Sequence, residues 1–304
     1  MESLTGLNAF VHAAELRSYV GAARVLGISS SAVAKSVARL EDDLGVRLFH
    51  RTTRSIGLTE EGAVFYEHCK RILDDFNDAR AMISASRVRP KGRLRISVPH
   101  IVGHNLLMPL LPAFLQQFPE IELDIDFEDR VVDLIGEGID VAVRSGELAD
   151  TRLIGHRLGE QHFVVCGSNN YFERYSRPET PADLIRHVCI HFKYPSSGRL
   201  APWSFRSPHT SLSLPESLIF SNTNAGLRAA IDGLGLAHLP VYIAEPAIKI
   251  GLIQPVLTKF MVPRGSLSLI WPSNRHLSPK VRTFVDFVIT ELRANPAIFE
   301  AKAV

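Results

Sequence analysis

Apolar residues recur at helical spacing from the start of the chain, where Leu7, Phe10, Val11 and Ala14 mark a first helix. Ser18 offers a cap for a second helix over Val20 to Leu26, and Gly27 closes it. Ser29 or Ser30 can cap a third, with Val33, Val37 and Leu40 on one face. Two short helices joined by a tight glycine turn form a helix-turn-helix pattern, here over about 18–37. Short apolar runs at Val46 to Phe49 and Ile56 to Leu58 then flank basic Arg51 and Arg54, which predicts a β-wing. A long helix follows from Thr59 to about Ser86. In it Phe65, Cys69, Ile72, Phe76, Ala79 and Ile83 repeat at spacings of 4, 3, 4, 3 and 4. Such a seam seeks a partner helix, so these six residues are expected to dimerise the chain rather than pack on their own domain.

The periodicity changes after a basic Pro/Gly hinge at 87–92. Strands are predicted at Leu94–Val98, Ile121–Phe127, Ile139–Val143, Phe163–Cys166, Val188–His191, Leu218–Phe220, Leu236–Leu239 and Leu267–Ile270. Between them helices are predicted over Leu106–Phe118, over Val131–Glu137, after Thr223 and over Pro279–Leu292. Alternating strands and helices imply an α/β fold, and its length suits two lobes. The expected organisation is a winged helix-turn-helix over 1–61, a linker helix and hinge over 62–91, and an α/β domain over 92–304. Within that domain lobe 1 takes about 92–161 and 267–304, and lobe 2 about 162–266.

Composition narrows the class. With 46% hydrophobic and 22% charged residues, the chain reads as globular rather than disordered. No run reaches the apolar length of a membrane span. Met1 to Phe10 shows no basic region followed by an apolar block, so no secretory leader is expected. Cys69, Cys166 and Cys189 are odd in number and widely spaced, which suits a reducing cytoplasm. The net charge is only +2, but between Arg17 and Gly57 seven basic residues face three acids. Charge concentrated in this way favours phosphate contact.

Several motifs resemble, in order and spacing, the N-terminal module of LysR-type transcriptional regulators. They are FVHAAELRSY at 10–19, AARVLGIS at 22–29, LEDDLG at 40–45, LFHR at 48–51 and LTEEG at 58–62. The resemblance continues through PLLPAF at 109–114, DRVVDLI at 129–135, EGIDVAVR at 137–144 and GLGLAHLP at 233–240. It implies a DNA-binding transcription factor with three parts: a winged helix-turn-helix, a dimerising linker helix, and a two-lobed effector domain like periplasmic binding proteins. It also implies a homodimer or homotetramer on an operator of double-stranded DNA, with a small-molecule effector changing DNA geometry or contact with RNA polymerase. No cofactor, metal or catalytic residue is implied.

The third helix is expected in the major groove, where Ser29, Ser30, Ser31 and Lys35 at its N-terminal end reach base edges. Ser29 can instead serve only as a cap, and Lys35 as a solvated charge. Many family members carry Gln-Pro where this chain has Ser30 and Ser31, and Ser where it has Ala34, so a bidentate adenine reader is missing. Arg51 and Arg54 suit phosphate or the minor groove, and Arg24 suits backbone phosphate. Effector contacts are expected at strand ends: Pro99, His100 and Ile101; Asp129; Arg144, Ser145 and Gly146; and Asn222, Thr223 and Asn224. Free backbone N–H groups there would suit a carboxylate. Arg144 can pair with a ligand or form a structural bridge with Asp140 or Glu147, and His100 can be a loop residue facing solvent.

Other constellations carry less. His187, Cys189 and His191 alternate along one strand but lack a fourth ligand for zinc. His100 and His104 lack the glutamate of HExxH. Asp124, Asp126 and Glu128 read as the wet face of a strand. The competing class is a small-molecule binding protein or enzyme of two-lobed α/β fold whose basic N-terminus is incidental.

Overall fold

The computed structural model describes residues 2–51, 56–83, 89–146, 152–206, 212–273, 278–295 and 299. It divides into two compact units, Met1–Val88 and Arg89–Val304.

The N-terminal unit contains α1 (Glu2–Leu16), α2 (Tyr19–Leu26) and α3 (Ser30–Leu44), then β1 (Phe49–Arg51), β2 (Ile56–Leu58) and α4 (Glu60–Ile83). Each short helix is delimited by residues of the kind physics requires. Ser18 and Ser29 accept the N–H groups of Gly21 and Ala32, and Gly27 and Gly45 turn the chain out at φ 68 and 71. The core gathers Phe10, Ala22, Val33, Val37, Leu48 and Phe49, with the Phe10 ring 5.3 Å from Phe49 and 5.5 Å from Phe65.

The apolar seam expected on α4 divides. Cys69 is fully buried in this same core, Leu73 is buried beside it, and Phe65 is half-buried against Phe10. Phe65 and Cys69 therefore face their own domain, because α4 must cover the open side of α1. Ile72 and Phe76 are exposed at 49% and 44%. Ala79 and Ile83 lie on the same helix, with side chains outside the described residues.

The C-terminal unit carries two five-stranded sheets. Lobe 1 orders its strands β4 (Ile121–Phe127), β3 (Gly92–Val98), β5 (Val141–Ser145), β12 (Ser266–Pro272) and β6 (Leu153–Glu160). β3 runs parallel to β4 and β5, while β12 runs antiparallel to β5 and β6. Lobe 2 orders β11 (Gln254–Val256), β7 (Phe163–Gly167), β10 (Leu236–Pro240), β8 (Cys189–Phe192) and β9 (Leu218–Phe220). The chain crosses between lobes twice, and the crossings pair antiparallel: Gln161 N–H donates to Gly265 O (3.0 Å), and Arg264 N–H to Gln161 O (2.8 Å).

Helix α10 (Pro279–Ala294) seats Val281, Phe284, Val285 and Val288 in the lobe 1 core. The helical run after β3 starts earlier than the sequence suggests and changes pitch along its length. A single turn α5 (His100–Val102) passes into a π-turn (Gly103–Leu107), a 3-10 turn (Met108–Leu110) and α6 (Leu111–Gln117). Gly103 is required, because a Cβ there would sit 2.5 Å from the Phe127 ring.

No helix forms over 131–137. Glu137 takes the Asp133 N–H (3.1 Å) and the Arg130 guanidinium (2.6 Å), Gly138 adopts φ 68, and the segment stays a turn. Strand β6 and helices α7 (Asn169–Arg174) and α9 (Val241–Lys249) went unread in the sequence. β6 is an edge strand with little alternation, and α9 carries Pro246 inside it.

Candidate nucleic-acid interface and ligand cleft

Helix α3 turns Val33, Val37 and Glu41 inward and leaves Ser30, Ser31 and Lys35 exposed. Ser29 is engaged as the cap, and its hydroxyl also lies 3.0 Å from that of Ser31. Ser30 and Lys35 are thus the candidate readers on this turn least occupied by the fold. Arg24 is exposed on the last turn of α2. Arg51 ends β1, paired in register with Ile56 of β2, while Arg54 lies outside the described residues.

How helix and wing are joined is not legible in the sequence. The Glu41 side chain is 1% exposed, and its Oε1 accepts the N–H groups of Leu48 (2.9 Å) and Phe49 (3.2 Å). Its Oε2 takes the Arg47 guanidinium at 2.9 Å. Burial pushes the carboxyl up, but these donors outweigh it and the net shift is downward. The carboxylate ties the last turn of α3 to the entry of β1.

In the C-terminal unit the first strand ends are already occupied. Asp129 accepts the His100 N–H at 3.0 Å and faces the His100 ring at 3.5 Å. Asn222 caps α8 (Thr223–Ile231) by taking the Ala225 N–H at 3.1 Å. One N–H at each of these two places is therefore taken by the chain's own side chain. Pro99 caps α5 without a side-chain bond, and Ile101 lies half-buried in that turn. Thr223 and Asn224 form the first turn of α8.

Arg144 does not bridge to Asp140. It donates to Ser97 Oγ (2.7 Å) and to its neighbour's carbonyl, Val143 O (2.7 Å). Asp140 instead accepts the Arg95 N–H at 2.9 Å and lies 4.0 Å from the buried Lys280 ammonium. Burial draws the Arg144 guanidinium down from its ordinary value, while Asp129 and Glu128 oppose this. Ser145 accepts from Gln161 of the crossing strand, and Gly146 adopts φ 106 with its N–H on Ser266 O (3.0 Å).

Lobe 2 supplies a group at its crossing end that spacing could not foretell. The ring of His238 on β10 stacks between Phe163 (4.8 Å) and Trp203 (5.5 Å), and its Nε2 makes no hydrogen bond among the described residues. Burial lowers its pKa to about 3, so the ring is neutral. Arg264, on the return crossing, donates to Pro202 O (2.9 Å) and Tyr194 Oη (2.6 Å).

Cys189 and His191 share a face of β8, but His187 lies outside the strand and the three side chains have separate partners. His187 precedes β8 and bonds Tyr171, the Cys189 thiol turns to Leu184 O, and His191 meets Pro215 O at 2.9 Å.

Comparison with known proteins agrees with both units. Residues 4–63 match the model of the bacterial regulatory helix-turn-helix protein, lysR family, and residues 87–293 match the LysR substrate binding domain. An HTH-type transcriptional regulator of Xanthomonas campestris is 36% identical over 93% of this chain and 83% of its own. The HTH-type transcriptional regulator PgrR of Escherichia coli is 33% identical over 94% and 96%. The solved structure of CrgA, a LysR-type transcriptional regulator from Neisseria meningitidis, superposes with a TM-score of 0.62. It is 29% identical, covering 95% of this chain and 98% of that one.

Proposed function

The chain belongs to the LysR family of DNA-binding transcription regulators, and from that premise we propose which of its residues read DNA and where its effector acts. Ser30, Ser31 and Lys35 of α3 meet base edges, and Arg51 and Arg54 of the wing, with Arg24 of α2, meet the backbone or minor groove. The observation that carries this is the Glu41 clasp, which joins reading helix and wing into one rigid reader. The protein acts in the cytoplasm as a homodimer or homotetramer, with Ile72 and Phe76 of α4 in the helix pairing. Among the described residues no helix is long and apolar enough to cross a membrane.

The effector lies between the lobes, against Pro99, His100, Ile101, Asp129, Arg144, Ser145 and Gly146 on one side and Asn222, Thr223 and Asn224 on the other. Because Asp129 and Asn222 each take one N–H at these turns, side chains share recognition there with the remaining N–H groups. Occupancy shifts the assembly between two states through differential affinity, and so alters contact with RNA polymerase.

Fluorescence anisotropy on a promoter fragment tests the reader. Arg51→Ala and Lys35→Ala are each expected to weaken binding about tenfold, with a shallower salt dependence. Binding by both variants as tight as wild type overturns the assignment.

A further inference from the structure

We propose that the end of lobe 2 remote from the crossings holds a second small-molecule site, separate from the cleft, for a zwitterion of α-amino-acid size. Its location follows from topology. β7 leaves the crossing at Phe163 and runs outward to Gly167, and β10, antiparallel to it, returns to Pro240, where Val241 N–H bonds His162 O (2.9 Å). β8 is parallel to β10, so the segment before β8 lies at the outer end. A pocket of about 380 Å³ opens there, lined by Ser176, Arg177, Glu179, Asp183, Arg186 and His187, among others. That volume is within the range of small-ligand sites.

The lining is built rather than incidental. His187 is only 8% exposed, yet it borders the pocket. Val188 N–H donates to Tyr171 Oη (3.0 Å), and the same hydroxyl shares a hydrogen bond with His187 Nδ1 (3.1 Å), which orients the ring. The other ring nitrogen, Nε2, has no hydrogen-bond partner among the described residues. Arg177 is braced on the Phe172 ring at 4.6 Å and bonded to Gln254, which holds Asn169 in turn. Arg186 makes no hydrogen bond or salt bridge among the described residues. Two guanidiniums, an imidazole and the Ser176 hydroxyl line one pocket, a donor set that suits a carboxylate.

The acids choose the rest of the ligand. One Asp183 oxygen accepts three bonds from its own turn, from Glu179 N–H, Thr180 N–H and the Thr180 hydroxyl, at 2.8 to 3.1 Å. The Glu179 carboxylate, exposed on the rim, is the counterpart for an ammonium. A plain carboxylate satisfies the donors and leaves Glu179 opposed by like charge. A zwitterion satisfies both.

Titration calorimetry on the full chain tests this, using the common α-amino acids and the same carboxylates lacking the amino group. At least one amino acid is expected to bind saturably, about tenfold tighter than its deaminated counterpart. Arg186→Ala, an exposed change that leaves folding intact, should weaken it about tenfold or more, and Asn224→Ala in the cleft should leave it unchanged. No saturable binding at about 10 mM overturns the site. Binding lost in Asn224→Ala but kept in Arg186→Ala moves the ligand to the cleft, and equal binding of plain carboxylates overturns the ligand class.

Discussion

In the N-terminal unit a buried acid, Glu41, is held by three donors, whereas in lobe 2 a buried base, His238, is held by two flat ring contacts, its Nε2 without a hydrogen bond among the described residues. Both are polar groups taken out of water, and they are stabilised by opposite means. Glu41 stays charged because its partners replace hydration. His238 stays neutral because nothing does, and it behaves as an aromatic plate. Function suits the division. The reader must hold helix and wing in fixed register, which directional bonds achieve. The stack lies wholly inside lobe 2, where ring contacts fill the space without fixing a bond direction.

Removing the carboxylate should break the comparison most sharply. Glu41→Ala leaves two buried N–H groups without acceptors and is expected to destabilise the N-terminal unit by about 3 kcal/mol. Glu41→Gln keeps one acceptor oxygen and should cost less, about 1 kcal/mol. Denaturant unfolding followed by circular dichroism checks both. His238→Phe preserves the stack and removes the unpaired nitrogen, so the same measurement at neutral pH should find it neutral or more stable than wild type. Equal losses in Glu41→Ala and His238→Phe would erase the distinction.

Acid should separate the two regions next. Glu41 has its folded pKa lowered, so its contribution is complete above the unfolded carboxylate value of about 4.3 and is lost as pH falls through the folded value. His238 is also lowered, from 6.5 to about 3. Its contribution is complete above about 6.5 and drains away as pH falls towards 3, because the unfolded chain binds the proton first. Lobe 2 should therefore begin to weaken near pH 6, with the N-terminal unit unaffected until about pH 4. Tryptophan fluorescence follows lobe 2 through Trp203, and the slope between pH 6.5 and 4.5 should flatten in His238→Phe.

The same contrast explains what could be read from the sequence. The helix-turn-helix was legible because local signals fix it: Ser18 and Ser29 cap, Gly27 and Gly45 terminate, and Val33 and Val37 mark the core face. Alternation also marked β3 and β4, and a short apolar run marked β10. Contacts between distant residues were not legible. Cys69 fits a heptad as well as a domain core, and only the position of α1 decides between them. Arg144 could face Asp140 in a linear reading, but in the sheet it meets Ser97 of the neighbouring strand. Glu41 lies in an acidic run with Asp42 and Asp43, and nothing in that run singles out the residue that folds inward.

The smallest effects lie on the reading turn itself, where Ser29 and Ser31 carry the same hydroxyl to different ends. Ser29→Ala removes the cap on Ala32 N–H and is expected to cost about 1 kcal/mol of stability, while Ser29→Gly should cost only a few tenths. Ser31→Ala breaks no bond to the backbone, since the Ser31 hydroxyl meets only that of Ser29, so melting should stay near wild type. If the Ser31 hydroxyl reads a base, operator affinity still falls, by about 1 kcal/mol, and discrimination relaxes at one position of the half-site while the salt slope is preserved. Melting curves and anisotropy on the same two proteins separate the roles. A Ser31→Ala variant that loses stability but not affinity would make that hydroxyl part of the cap and leave Ser30 and Lys35 as the readers of α3.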